Sequence, residues 1–196
     1  MGRLTPGLDV WRGRLRQAMP TIAAQGILLR RSRFSDTSLI TNWLTRQQGK
    51  VKTIAKGALR PKSPFAGKLD LFFQCELMWA QSRRADLHVL REVKVLEAFA
   101  QIRATYLQTL AASYFAELID EATEPEHPVP DLYNLLFRAL NYLNRQLPDA
   151  RGVLFFEREL CKCLGVEAES DEAAGRRLYD ALGRLPKSRA ELLHQL

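Results

Sequence analysis

The apolar residues of this chain change their spacing once. From Ala24 to Ala98 they recur with a period of two, and after Phe99 with a period of three to four. A period of two places alternate side chains on opposite faces of a strand, and a period near 3.6 lines one face of a helix. A front half of strands followed by a rear half of helices excludes an alternating βαβ fold and predicts an α+β chain. Its 196 residues, 46% apolar, are enough to bury a core and exclude a disordered or fibrous chain.

Five short strands are read in the front half. Gln25 to Arg31 is the first and ends in a polar turn at Arg33 to Asp36; Thr37 to Thr45 is the second, closed by a hairpin turn at Arg46 to Gly49. In Lys50 to Ala55, Val51, Thr53 and Ala55 share one face, and Lys50, Lys52 and Lys56 the other. Leu69, Leu71, Phe73, Cys75, Leu77 and Trp79 alternate with polar residues as a fourth strand. Leu87, Val89, Val93 and Val95 are placed on one face of a fifth. Five strands in so short a stretch predict a small closed barrel of the oligonucleotide-binding (OB) type.

The rear half reads as an all-α bundle. Leu107, Leu110, Tyr114 and Leu118 mark a first helix, which ends before the proline-rich Glu121 to Pro130. Asp131 is read as the cap of a second, whose Leu132, Leu135, Leu136, Leu140 and Leu143 form a stripe ended by Pro148. A third runs from about Arg151 to Leu164, with Gly165 in the left-handed capping position. Ser188 and Glu191 have the spacing of a capping box. The organisation is therefore a basic arm or over-long start at 1–18 (with Met19 as an alternative initiator), an OB domain at 19–98, and a helical domain at 99–196.

Charge separates the halves further. Residues 1–98 carry 18 Lys/Arg against 7 Asp/Glu, and residues 99–196 carry 11 against 15. No acid occurs between Asp36 and Asp70, where seven of the cations accumulate. A one-sided positive field attracts polyanions through phosphate neutralisation and counterion release; the alternative is a solvated face that serves solubility. No apolar run approaches the roughly 18–20 residues of a membrane span, and residues 1–18 lack the hydrophobic block of a secretory leader. Three cysteines, Cys75, Cys161 and Cys163, are too few for a disulfide framework and suggest a reducing cytoplasm.

No catalytic constellation is found. Gly49-Lys50 and Gly67-Lys68 lack the preceding glycine and the following hydroxyl residue of a phosphate-binding loop. His88, His127 and His194 are far apart, without matching cysteines or acids, and read as ordinary surface or turn residues. Glu157 and Glu159, two apart on a helix, point to different faces and make a poor acid/base pair. Cys161 and Cys163 are one C-x-C pair with no second pair, so they read as packing residues, and neither a metal nor a cofactor is expected.

The informative block is Lys50 to Phe73. Pro61 and Pro64 are expected to hold Arg60 and Ser63 extended, which would spread Arg60, Lys62 and Lys68 along a loop beside Lys50, Lys52 and Lys56. Such a surface, with Arg31 and Arg33 nearby, suits a sugar-phosphate backbone, and Phe34, Trp43 and Phe65 are candidates either for base stacking or for the core.

Gln25-Gly26-Ile27-Leu28-Leu29-Arg30, Ser38-Leu39-Ile40, Leu44-Thr45-Arg46, Gly49-Lys50-Val51, Ala55-Lys56-Gly57-Ala58, Arg60-Pro61-Lys62-Ser63 and Phe65-Ala66-Gly67 together resemble the start of the bacterial RecO recombination-mediator family. A weaker similarity continues through Arg158-Glu159-Leu160 to Leu164-Gly165. The resemblance implies an N-terminal OB fold and a C-terminal helical domain. It implies binding to single- and double-stranded DNA, annealing of complementary strands, and action with RecR and the single-stranded-DNA-binding protein to load RecA in gap repair. Many members carry a four-cysteine zinc module after the position of Gly165; Val166 to Gly175 contains no cysteine, and the helical domain reads as trimmed.

The resemblance also implies a site for the acidic, apolar-ended tail of the single-stranded-DNA-binding protein. That ligand needs an apolar pocket flanked by cations. Arg151, Arg158 and Lys162 fall on one stripe of the third helix, with Phe155 beside them and Arg138 approaching from the second. Phe155, Arg158, Lys162 and Arg138 are the candidates. The DNA-binding candidates are Arg31, Arg33, Lys50, Lys52, Lys56, Arg60, Lys62 and Lys68, and no membrane partner is expected. Two other functions fit the same residues: an RNA-binding OB protein, which the 2′-hydroxyl would discriminate, and an adaptor that recruits RecR with little DNA contact.

Overall fold

The computed structural model describes residues 20–83 and 85–196. The basic arm read over 1–18 and the alternative start at Met19 lie outside the described residues. The strands are β1 (Thr21–Arg33), β2 (Leu39–Thr45), β3 (Gly49–Ala55), β4 (Gln74–Ala80) and β5 (Leu87–Glu97). They close into a barrel in the order β1-β2-β3-β5-β4. The pairs are antiparallel except β3 with β5, whose parallel pairing closes the barrel. This is the five-stranded OB arrangement.

Leu28, Trp43, Val51, Cys75, Leu77, Trp79, Leu90 and Val93 fill the interior. A polar cluster inside is satisfied: the Thr41 and Thr53 hydroxyls lie 2.7 Å apart, and the Trp43 indole N–H donates toward both at 3.0 and 3.1 Å. Such closure matters because an unpaired buried polar group costs about 1–3 kcal/mol.

Two strand readings are corrected. β4 starts at Gln74, not Leu69. Leu69 to Phe73 is a turn in which Phe72 takes φ 68° and buries its ring among the helices. In β5, Leu87 and Val89 do not share a face with Val93. A register shift opposite Met78 and Trp79 inserts one residue, so His88 and Leu90 are buried before it and Val93 after it. A bulge of this kind interrupts the alternation that the sequence pattern relies on.

Beyond a short 3-10 turn, five helices follow: α1 (Tyr106–Ala122), α2 (Pro130–Leu143), α3 (Ala150–Cys163), α4 (Asp171–Leu182) and α5 (Ser188–Gln195). The side chains of Thr105, Asp149 and Ser170 accept N–H bonds at the starts of α1, α3 and α4. Asp131 is not a cap: α2 begins at Pro130, whose missing N–H and fixed φ suit the first helical position. Ser188 is not one either; its hydroxyl donates to Glu117 on α1 at 2.8 Å. α4 has no counterpart in the sequence reading, although Ser170 caps it. Gly165 takes φ 69°, as read.

α1 lies at the centre of the bundle, with Ala111, Ala112, Tyr114, Leu118 and Ile119 buried. The same core extends to Ile27, Leu29, Leu44 and Phe72 on the outside of the barrel. Barrel and bundle therefore share apolar surface. Among the described residues no helix is long and apolar enough to cross a membrane.

Candidate nucleic-acid interface

β3 has two ends with different roles. At its start Lys50 donates to the Asp120 carbonyl at 2.6 Å and pairs with the Asp120 carboxylate at 3.2 Å. The Lys50 carbonyl accepts from the Glu126 N–H at 3.0 Å, and a Cβ on Gly49 would lie 2.0 Å from the His127 carbonyl oxygen. The α1–α2 loop thus straps this end of the barrel. His88 completes the strap: its Nδ1 accepts from the Ser82 N–H, which leaves Nε2 to donate to Glu126 at 2.8 Å. His88 is consequently a buried tie between the barrel and the α1–α2 loop rather than a surface residue, and Lys50 is a structural tie rather than a free cation.

The far end, about 20 Å along the strand at roughly 3.3 Å per residue, is open in that the strap does not reach it; Phe65 and Leu69 of the following segment close the barrel core there. There Ala55 pairs with Leu39, and Leu39 with Arg33, so the β1–β2 turn and the segment after β3 lie side by side. A backbone bond from the Leu59 N–H to the Thr37 carbonyl at 3.0 Å joins them. Lys52, Lys56, Arg60 and Lys62 are exposed, and their charged groups make no ion pair or hydrogen bond with any described residue. Lys68 is half-buried. The expected extended loop is not observed. Arg60 to Gly57, Ser63 to Arg60, Ala66 to Ser63 and Lys68 to Phe65 are successive turn bonds, so 57–68 is a compact string of turns. Gly57 and Gly67, at φ 71° and 70°, supply the left-handed residues that such turning requires.

Arg31 and Arg33 are partly engaged. Arg33 pairs with Asp36 at 3.2 Å inside its own turn. Arg31 donates to the Leu69 carbonyl at 2.6 Å and pairs with Asp70 at 3.2 Å. Asp70 is held from the other side by Arg103, which also donates to the carbonyls of Ala98 and Leu71 and stacks over Phe73. This two-arginine clamp fixes the end of the basic segment, and the sequence reading missed it because Arg103 is 33 residues from Asp70. Of the three aromatic candidates, Trp43 and Phe65 are core residues, whereas Phe34 is 57% exposed.

In the helical domain, a groove of about 730 Å³ lies between α2 and α3. Arg138, Tyr142, Arg151, Phe155 and Arg158 line it. The structure therefore brings Phe155, Arg158 and Arg138 together. Lys162 does not line the groove; its ammonium sits 2.5 Å from Glu159 one turn back. Arg158 pairs with Asp171 at 2.7 Å and lies 5.5 Å from the Phe155 ring centroid. Cys161 is buried and its thiol faces the Ala174 carbonyl, while Cys163 is exposed, so the two sulfurs diverge. Among the described residues no group of three or more His, Cys, Asp or Glu side chains is placed to hold a metal ion.

Residues 19–99 match the family described as recombination protein O N terminal, and residues 103–180 match recombination protein O C terminal. The chain belongs to the RecO family. It is 31% identical over 150 residues to the DNA repair protein RecO of Listeria monocytogenes serotype 4b, covering 76% of this chain and 58% of that protein. With the protein of that name from Bifidobacterium longum it shares 35% identity over 140 residues, 69% of this chain and 58% of that one. The corresponding protein of Halalkalibacterium halodurans is 27% identical over 157 residues, 80% of this chain and 61% of that one. The chain thus spans about three-fifths of the length of these curated relatives.

Proposed function

We propose that this chain is a DNA-repair and recombination mediator that holds DNA by its phosphates at the open end of the barrel. The observation that carries this reading is the set Lys56, Arg60 and Lys62, with Lys52 before them on β3, all exposed and without a charged partner among the described residues, on and next to the clamped 57–70 segment. Cations without internal partners keep their full charge for a polyanion, and a string of turns fixed at Asp70 holds them in place before binding. Single and double strands both present phosphates, so both bind.

Annealing then needs no catalytic residue. Two complementary strands held against the same positive field repel each other less, and base pairing does the rest. The family relationship supports a role with RecR in loading RecA onto DNA covered by the single-stranded-DNA-binding protein, in the cytoplasm and at the nucleoid. The α2–α3 groove is the seat we assign to that protein's tail: Phe155 and Tyr142 offer apolar surface, and Arg138, Arg151 and Arg158 line it as cations for the tail's carboxylates. Arg158 would exchange its pairing with Asp171 for the tail.

The test is annealing of complementary oligonucleotides by the full chain and by Lys56→Ala/Arg60→Ala/Lys62→Ala. Loss of annealing in the triple variant, with circular dichroism unchanged, is expected. Annealing at the unaltered rate would leave the adaptor reading, in which DNA contact is dispensable.

A further inference from the structure

We infer that Phe34 is a stacking platform for an unpaired DNA base, set at the open end of the barrel outside the strand faces; this rests on the proposed DNA-binding function and names a ligand contact within it. Phe34 is 57% exposed, and Leu59 beside its turn is 47% exposed. Isolated exposed apolar side chains are ordinary. The Leu59 to Thr37 backbone bond joins the two segments that carry them, and Lys56, Arg60 and Lys62, without a charged partner among the described residues, belong to the same segment as Leu59.

The turn that carries Phe34 is fixed rather than loose. The Phe34 and Ser35 N–H groups both donate to the Ser38 carbonyl, at 2.9 and 3.3 Å. Arg33 donates to the Ser35 carbonyl and pairs with Asp36, so the acid of this turn has a cation beside it. A ring exposed on a rigid turn loses little freedom when it meets a ligand, which favours binding. Bases stack on aromatic rings for about 1–3 kcal/mol each, provided they are not already paired within a duplex. The phosphate contacts serve single and double strands alike, whereas a stacking ring adds affinity only where bases are unpaired. Phe34 therefore supplies a preference for single strands that the cations alone do not give. The cations continue from the tip along β3 to Lys52, the course of a strand rather than of a flat anionic membrane.

The experiment measures binding of the full chain to a labelled oligothymidylate and to a duplex of equal length, for wild type, Phe34→Ala, Phe34→Tyr and Lys56→Ala/Arg60→Ala/Lys62→Ala. The expected result is that Phe34→Ala weakens single-strand binding about tenfold and leaves duplex binding and the salt slope unchanged. Phe34→Tyr should restore single-strand binding. Wild-type affinity in Phe34→Ala overturns the inference while the phosphate reading stands. An equal loss on both DNA forms overturns it by assigning the ring a structural role. No DNA binding by the wild-type chain overturns the proposed function, and this inference with it. Binding to phosphatidylglycerol vesicles that Phe34→Ala abolishes, with single-strand affinity unchanged, would reassign the tip to a lipid surface.

Discussion

Glu157 is fully buried on α3, and two residues answer its charge with three hydrogen bonds. Tyr114 donates at 2.5 Å, and Arg189 donates twice, at 2.7 and 3.0 Å. Arg189 reaches it because α4 has Gly175 at the crossing; a Cβ there would lie 2.4 Å from the guanidinium. The hydrogen bonds to Glu157 raise the Arg189 pKa, and burial followed by the nearby Glu157 charge raises that of Tyr114. Arg189→Ala leaves a buried carboxylate without its counter-ion, so a loss of about 3–5 kcal/mol in urea unfolding is expected, and Arg189→Ala/Glu157→Leu should recover much of it. The sequence placed Glu157 and Glu159 on different faces, which holds, but it could not show a partner 32 residues away. Cys75 makes a second prediction at this scale. Burial pushes its thiol from 9.0 up to about 12. Because the folded value is the higher one, the neutral thiol stabilises the fold below pH 9, and that contribution falls as pH rises toward 12. The slope is about 1.4 kcal/mol per pH unit. Between pH 8 and 10.5 Cys75→Ala should therefore lose about 2 kcal/mol less stability than wild type in parallel urea titrations; identical losses would show that the thiol does not titrate in this way.

Among the elements, those with an unbroken period were legible and those set by distant contacts were not. β2, β3 and the stripes of α2 and α3 follow their apolar spacing because each meets one continuous core. A bulge shifts the alternation of β5, and Phe72 leaves the strand path for the helical core, so apolar spacing alone gives neither the face of β5 nor the turn at Leu69 to Phe73. The basic segment was legible as charge but not as shape. Its turns close on Asp70, which Arg31 and Arg103 clamp from β1 and from beyond β5. Arg103→Ala removes the charged pairing with Asp70, two hydrogen bonds to the Ala98 and Leu71 carbonyls, and the stacking on Phe73. Faster amide hydrogen exchange across 57–72, at unchanged protection of β2 and β3, is the expected outcome. Protection that stays the same would mean the turns hold their shape without the clamp.

At the scale of the whole molecule, the strap at one end of β3 and the open cations at the other divide the barrel between assembly and binding. Lys50, His88 and Gly49 join it to the α1–α2 loop, and Lys56, Arg60 and Lys62 lie on the segment beyond the other end of β3. Composition located the positive half, and the structure separates its structural lysine from its free ones. The α2–α3 groove makes the second contact. A labelled acidic peptide ending in apolar residues should bind wild type and lose at least tenfold in affinity to Arg158→Glu, whereas Lys162→Glu, outside the groove, should change it little. Equal losses would place the peptide on the outer stripe instead.

The central claim is that the open end of the barrel holds phosphates, and the dependence of single-strand affinity on salt measures this directly. Each phosphate contact contributes about 0.7 to the slope of log K against log salt on single strands. Lys56→Ala/Arg60→Ala/Lys62→Ala should reduce that slope by about two units and weaken binding alike on unrelated sequences. A triple variant with the wild-type slope would place the phosphates on another surface and contradict the account.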